Sequence, residues 1–517
     1  MAGKTRLAAV IDIGSHSIRL IIGEKQGGEV KVLELLKNPL LIGRDTFRSS
    51  LISQETTNTA IAILQKYRTV IESYQVVRVR VIATTAVREA QNRDIFLDTV
   101  LRKTGFEIEV LTVGDVVFYI DTFLYYNLRG RYPIHEKNLL IAELGAGIVD
   151  LSIMRQGYLQ TSIGLPFGTL MLQKLEKAME GEAQERALGL DEYIRNELRT
   201  MMRYQPVGEI DDIFFISEDL GAALHHVLPD TLAEHTFFEI TAGDAALFFE
   251  ACTPLTADRL ARRYEMPLEL AATAGLLART MNAFFPCFRK ERGFVIETSL
   301  YHALLVNSLF GYGLPQKRGM IDHLTAMARA TCTQFNADLA HADHVAGLAR
   351  GLFTDLAGPL GLTEPSLKYL LLAAYFHDIG KLVSNRSHHK HAQYLIANLN
   401  LFRMSESEMN LVSNIARYHR KAIPDPRHLP YQALPARQQI LTQKLAAVLR
   451  IADALDRSHT QKVKKTAAVC EPDGRVVVRV HAEDPVPLER MSFNDKKDLL
   501  EHIVGARVDL LVVPDWS

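Results

Sequence analysis

From Leu7 to Ile13 the chain runs LAAVIDI, breaks at Gly14-Ser15-His16-Ser17 and resumes as IRLII up to Gly23. Two short apolar runs around a small polar turn predict a β-hairpin. The pattern recurs more than a hundred residues later: LLIAE over Leu139–Glu143, the turn Leu144-Gly145-Ala146-Gly147, then IVDLSIM over Ile148–Met154. A repeated hairpin predicts a duplicated architecture of two similar lobes. Between the hairpins, a helical periodicity over Thr56–Tyr74 and the strands VRVRVIATTA and EIEVLTV alternate as in α/β folds.

Beyond about residue 253 the spacing turns mostly helical, and from Leu314 to about Thr460 apolar residues recur every three or four positions. CEPDGRVVVRV then reads as two strands around a Pro-Asp-Gly turn, followed by a helix near Asp495–Val504 and the strand ARVDLLVV. The expected fold class is therefore α/β plus all-α. Two α/β lobes occupy 1–128 and 129–312, a helical domain 313–460, and a small α+β tail packed on that domain 461–517.

Composition narrows the function classes. Lys+Arg 59 against Asp+Glu 60 leaves a net charge of -1, so no global positive field recruits DNA or an acidic membrane, and an anionic ligand must be caught locally. Cys252, Cys287, Cys332 and Cys470 lack CxxC spacing, which suits a reducing, cytoplasmic compartment and excludes a thiolate zinc site. No apolar run reaches the ~18 residues that span a bilayer.

Half of the 18 histidines fall between His341 and His459. The segment DLAHADHVAGLARGLFTDL aligns His341, His344, Val345, Leu348 and Leu352 on one helical stripe. LKYLLLAAYFHDIGK is apolar nearly all round until His377 and Asp378, where an unpaired carboxylate would carry a desolvation cost that a divalent cation removes. His388 and His391 share a face with Leu395, His419 stands beside Arg420 and Lys421, and Asp453 lies in line with Leu445 and Leu449. Imidazoles and carboxylates together suit manganese, iron, zinc or magnesium, and a cation so held generates hydroxide near neutral pH. Lys381, Arg420, Lys421, Arg450 and Arg457 are nearby candidate phosphate clamps. For His341 and His428 an ordinary core or surface role is expected.

The series His344, His377-Asp378 and Asp453, with HDIGK at its centre, resembles the signature of HD-domain metal-dependent phosphohydrolases. His391 and His419 resemble the additional histidines of HD domains that hold two metals; His388 or His389 is the alternative to His391, and Asp456 to Asp453. The resemblance implies His377, Asp378, Lys381 and His419 as catalytic groups and His344, His377, Asp378, His391, His419 and Asp453 as ligands.

At the other end, IDIGSHS, ATTAVREAQN, the second hairpin and GLPFGTLML, in that order, resemble the exopolyphosphatase and guanosine pentaphosphate phosphohydrolase (Ppx/GppA) family. Its two lobes have the actin, hexokinase and Hsp70-like fold, a duplicated ribonuclease H-like unit, and an HD-like helical domain often follows. The resemblance implies Asp12, Gly14, Ser15, Ser17 and Arg19 in a first phosphate loop and Arg88 in a second, while the turn with Gly145 and Gly147 offers backbone N–H groups to phosphate. It also implies magnesium near Asp12, a polyphosphate, guanosine polyphosphate or other nucleotide substrate, and a homodimer. The chain departs from the family pattern at several points. Asp115 and Val116 stand where the presumed base and its neighbour are paired glutamates, His16 replaces asparagine, Glu143 replaces aspartate, and Ile148-Val149 replaces serine-threonine. The expected function is thus phosphohydrolysis centred on the helical domain, with a depleted interlobe cleft that binds phosphate. The alternatives are exopolyphosphatase chemistry in the cleft, with Asp115 or Glu143 as base, and a non-catalytic guanosine-polyphosphate sensor.

Overall fold

The computed structural model describes residues 7–513 except 129, 205–206, 230–236, 298–299, 311–319, 400, 402–403 and 473. The chain divides into two compact units, Met1–Lys317 and Arg318–Ser517. The expected start of the helical domain at 313–314 lies outside the described residues.

The first unit holds two mixed sheets. One contains β1 (Leu7–Ile13), β2 (Ser17–Gln26), β3 (Glu29–Pro39), β4 (Arg78–Ala83) and β5 (Ile108–Val110) in the order β3-β2-β1-β4-β5. The other contains β6 (Asn138–Leu144), β7 (Val149–Arg155), β8 (Tyr158–Leu165), β9 (Asp212–Ile216), β10 (Phe237–Thr241) and β11 (Arg292–Ile296) in the order β10-β11-β9-β6-β7-β8. Each begins with a three-strand antiparallel meander and adds parallel strands beside its first. β1 and β6 are apolar on both faces because each is the central strand of a sheet covered on both sides. The two hairpin turns close with the same bond, Gly14 N–H to the Ser17 carbonyl at 3.0 Å and Gly145 N–H to the Ile148 carbonyl at 3.1 Å. At Gly145 a Cβ would stand 2.7 Å from that carbonyl oxygen, so the turn requires glycine.

The structure differs from the sequence reading in three places here. EIEVLTV pairs only over Ile108–Val110, because Thr112 and Asp115 close a capping box that starts the helix Val113–Leu128. The mostly helical stretch after residue 253 is interrupted by β11, whose GFVI run fills the second sheet. The helix Leu300–Phe310, expected in the second lobe, packs on β1 and β2 of the first: Leu305 lies against Gly23, and Arg78 bonds the Ser308 carbonyl.

The second unit is built around the helix Leu367–Phe376, whose LKYLLLAAYF is buried almost all round. Helices Met320–Gln334, Leu339–Leu360, Glu406–Arg417 and Ala436–Ala454 surround it. Asp338 caps the Leu339–Leu360 helix through the His341 N–H, and Ser405 with Glu408 forms a capping box on the Glu406–Arg417 helix. A three-stranded sheet of β12 (Val463–Cys470), β13 (Val476–Ala482) and β14 (Val508–Val513) packs on the Leu339–Leu360 helix. Arg450, 2% exposed, ties the unit together by donating to the carbonyls of Tyr418, Lys421 and Lys496 and to Asp498. No helix among the described residues is long and apolar enough to cross a membrane.

The glycine of HDIGK lets the helix His388–Ala397 pack directly on the turn Ile379–Leu382: a Cβ at Gly380 would run into the His388 carbonyl and the Ala392 amide nitrogen. Both obstacles are backbone, so the helix itself must move. Gly380→Ala is expected to destabilise the protein by about 1–3 kcal/mol, read as a lowered thermal midpoint.

Candidate functional site

Five helices, or the turns just beyond them, deliver six titratable side chains to one buried point in the second unit. His341 comes from the Leu339–Leu360 helix, His377 and Asp378 from the end of the Leu367–Phe376 helix, and His388 from the first turn of the His388–Ala397 helix. His419 follows the Glu406–Arg417 helix and Asp453 ends the Ala436–Ala454 helix. All six are 9% exposed or less. His341, His377 and Asp453 form one triad and Asp378, His388 and His419 another, with the ligand atoms of each triad within 4.8 Å of one another. The triads meet at Asp378, whose Oδ2 is 3.6 Å from His377 Nε2 and whose Oδ1 is 3.3 Å from His388 Nε2.

The imidazoles are oriented from behind. His377, His388 and His419 each place Nδ1 on the carbonyl three residues earlier, at 2.7, 3.1 and 2.7 Å, which fixes the tautomer and leaves Nε2 as the lone-pair nitrogen facing the carboxylates. His341 places Nδ1 2.8 Å from Asp456 and Nε2 3.2 Å from His377 Nε2. Burial holds His377, His388 and His419 below the ordinary histidine value, so they are neutral, as metal ligands must be. Against its burial, His341 is raised to about 9 by hydrogen bonds to Asp453 and Asp456. Asp378 and Asp453 are likewise buried, yet His377 and His419 for the first and Lys496 and His341 for the second hold them below the usual carboxylate range. Lys381 approaches Asp378 at 2.5 Å, and Lys496 pairs with Asp453. Two carboxylates here are neutralised by protonated neighbours occupying the positions a cation would take, and the donor set fits a divalent metal.

Of the expected ligands, the structure brings together His377, Asp378, His419 and Asp453. His344 is not with them: it is half-buried, and its Nε2 has no hydrogen-bond partner. The residue one turn earlier, His341, for which a core role was expected, takes the place. His391 is also outside the cluster, and His388 stands there instead, because the Gly380 contact sets the first turn of that helix against Asp378. Asp456 does not replace Asp453 but orients His341. His389, behind His388, is pushed down to about 4 by burial, reinforced by His388, Lys421, Arg417 and Arg420. Lys496 and His459, whose ring stacks on His341 at 3.7 Å, were missed. Neither carries a signal in sequence, since both reach the centre only through tertiary packing.

In the first unit a cavity is lined by Asp12, Gly14, Ser15, Ser17, Arg19, Arg88, Gly145 and Gly147, so all eight residues expected to hold phosphate meet around one space. Arg19 is engaged by Glu218 at 3.0 Å and lies 5.3 Å from the centre of the Tyr301 ring; Arg88 bonds the Leu111 carbonyl and Thr85. Asp115, the alternative base, closes the capping box with Thr112, its carboxylate accepting from the Thr112 hydroxyl at 2.7 Å, while Val116 lines the cavity. Five carboxylates line the space, Asp12, Glu143, Asp150, Glu218 and Asp219. Asp12 pairs across its hairpin with Arg19, and Glu143 pairs across the other with Asp150. Asp12 Oδ1, Glu143 Oε2 and Asp150 Oδ1 are buried without a hydrogen-bond partner, and such orphans with like charges directly opposite fit a hard cation.

Sequence models described as the Ppx/GppA phosphatase family match residues 20–209, and as Ppx/GppA phosphatase domain III residues 325–489. The chain belongs to the Ppx/GppA phosphatase family. It is 22% identical over 441 residues to a guanosine-5'-triphosphate,3'-diphosphate pyrophosphatase of Vibrio campbellii, covering 82% of each chain. A bifunctional 3-dehydroquinate synthase/phosphatase of Fusobacterium nucleatum is 24% identical over 213 residues, 38% of this chain and 30% of that protein. The crystal structure of the Ppx/GppA family member of Aquifex aeolicus matches with a TM-score of 0.52 at 19% identity, over 60% of this chain and 99% of that one. The two lobes have the actin-like fold of the Ppx/GppA proteins, and the domain III match spans every member of the His/Asp cluster.

Burial raises Asp12 to about 6, with Arg19 opposing; it raises Asp150 to about 7, and Glu143, next to Asp150, well above the ordinary value. The folded protein therefore keeps protons that the unfolded chain has already released. The resulting cost is absent below about pH 4 and grows as pH rises through and beyond the unfolded carboxylate values. Glu143→Gln, which cannot ionise, is expected to stabilise the metal-free protein by about 1–3 kcal/mol at pH 8 and to have little effect near pH 4, measured by denaturation in chelator.

Proposed function

We propose that the chain is a metal-dependent phosphohydrolase of the HD type, hydrolysing phosphate anhydride or ester bonds at the cluster around Asp378, and that the interlobe cleft binds a phosphate-rich ligand. The observation that carries this reading is the meeting of two buried His/Asp triads at a single carboxylate. A divalent metal at the triads, when bound, lowers the pKa of water and polarises a phosphoryl oxygen.

The chain's own residues do the rest. Asp378 presents one oxygen to each triad, and the backbone carbonyls of residues 374, 385 and 416 keep the three imidazoles in the ligating tautomer. Lys381, with its side chain 38% exposed, swings from Asp378 to the phosphate once that carboxylate's charge is taken up. Arg420, whose Nη1 is 3.2 Å from His388 Nε2, stands at the edge of the centre as a second phosphate clamp. Polyphosphate and guanosine polyphosphates are the first substrates to try, on the names of the relatives.

A second reading, favoured by the three orphaned carboxylate oxygens in the cleft, places hydrolysis there with magnesium near Asp12 and Glu143 as base. Purified protein is expected to hold stoichiometric transition metal and to release phosphate, with His377→Ala and Asp378→Asn losing both the metal and about two orders of magnitude or more of activity. His344→Gln and His391→Gln are expected to keep both. Activity that survives Asp378→Asn and disappears with Asp12→Ala would move the reaction to the cleft.

A further inference from the structure

Beside the His/Asp cluster, and separate from it, lies a pocket of about 310 Å³ with no carboxylate on its wall. Lys390, Arg417, Arg420 and Lys421 line it together with His389 and His428. Four permanent or near-permanent cations around one small space repel one another unless an anion sits between them.

Two further observations point the same way. His389, which lines the pocket, is 8% exposed, and its Nδ1 is buried with no hydrogen-bond partner. A buried ring nitrogen left unpaired costs free energy that a ligand oxygen or hydroxyl recovers. The pocket also receives the N-terminus of the helix His388–Ala397, whose N-cap, Ser387, adopts the left-handed conformation with φ 60° and makes no side-chain cap. The positive end of that helix's dipole thus adjoins the cations' common space, where negative charge is favoured. On the far wall Lys421 is also left-handed, with φ 58°, held there by Arg450 gripping its carbonyl.

The pocket adjoins the proposed reaction centre through one side chain. Arg420 joins the two: its guanidinium is on the pocket wall and within 3.2 Å of His388, which is 3.3 Å from Asp378. We infer that this pocket binds a pyrophosphoryl group, two linked phosphates, adjoining the phosphate attacked at Asp378, and so makes the centre selective for condensed phosphates over simple phosphomonoesters. The inference rests on the proposed function. Its chemistry is shared by inorganic polyphosphate and by the phosphate chain of a nucleoside polyphosphate.

The test uses the full chain and the exposed residue Lys390, which belongs neither to the metal cluster nor to its phosphate clamps. In the Lys390→Gln variant, KM for inorganic tripolyphosphate should rise about tenfold or more. Its kcat, its metal content and its KM for p-nitrophenyl phosphate should stay near those of the parent. Equal changes for both substrates, or none, would overturn the inference.

Occupancy is read independently of turnover by acetylating surface amines of Asp378→Asn protein and locating the modified lysines by mass spectrometry. Tripolyphosphate or guanosine 5'-triphosphate should protect Lys390 and Lys421. Protection by both assigns the phosphate chain alone, and protection by the nucleotide only assigns a nucleoside-borne chain. Protection without Asp378-dependent turnover would remove the proposed reaction centre and keep the pocket; turnover without protection by either ligand would do the reverse.

Discussion

The second unit is organised by a requirement of charge: Asp378 and Asp453 are buried, and a buried carboxylate persists only where positive charge or convergent hydrogen bonds stabilise it. Four imidazoles and two lysines surround the pair, and their supports reach far. Asp456 holds His341, three backbone carbonyls hold the other rings, and Lys496 arrives from the C-terminal α/β segment. That last contact makes residues beyond the helical domain part of its centre. Arg450 completes the arrangement, because the chain on either side of His419 is fixed by the carbonyls it grips.

The first unit solves a related problem twice and differently. At equivalent places in the two hairpins, Asp12 faces Arg19 whereas Glu143 faces Asp150. The first hairpin carries its own counter-charge. The second does not, and the nearest cation acting on Glu143 and Asp150 is Arg88, from the segment after β4. A duplicated fold in which one copy keeps an acid–base pair and the other an acid–acid pair gives an asymmetric cleft, suited to a bound cation on one side and to phosphate oxygens at Arg19 on the other.

Much of this was legible where the signal is local. The two hairpins follow from apolar runs around glycine turns, and the His377-Asp378 step follows from charge at the end of an apolar helix. The same reasoning failed where two candidates share a helical face. His341 and His344 are one turn apart, as are His388 and His391, and periodicity alone assigns neither pair. What decides is the placement of neighbouring elements: Asp456 draws in His341, and the close approach at Gly380 draws in His388. Long-range pairings were equally invisible, as with the Leu300–Phe310 helix returning to β1 and β2, since its even hydrophobicity suits either lobe.

The substitutions in the cleft and the integrity of the cluster are best understood together. Proton abstraction needs a carboxylate that faces the substrate and is free to accept, yet Asp115 is committed to starting its helix and the neighbouring residue on the cavity wall is Val116. Glu143 faces the space but is held protonated by burial and by Asp150, which weakens it as a base until a cation restores its charge. The cluster around Asp378 differs, because its carboxylates are held ionised and three of its four imidazoles, His377, His388 and His419, are held neutral, His341 being the protonated one. The substitutions leave Arg19, Arg88 and the two glycine turns lining the cavity.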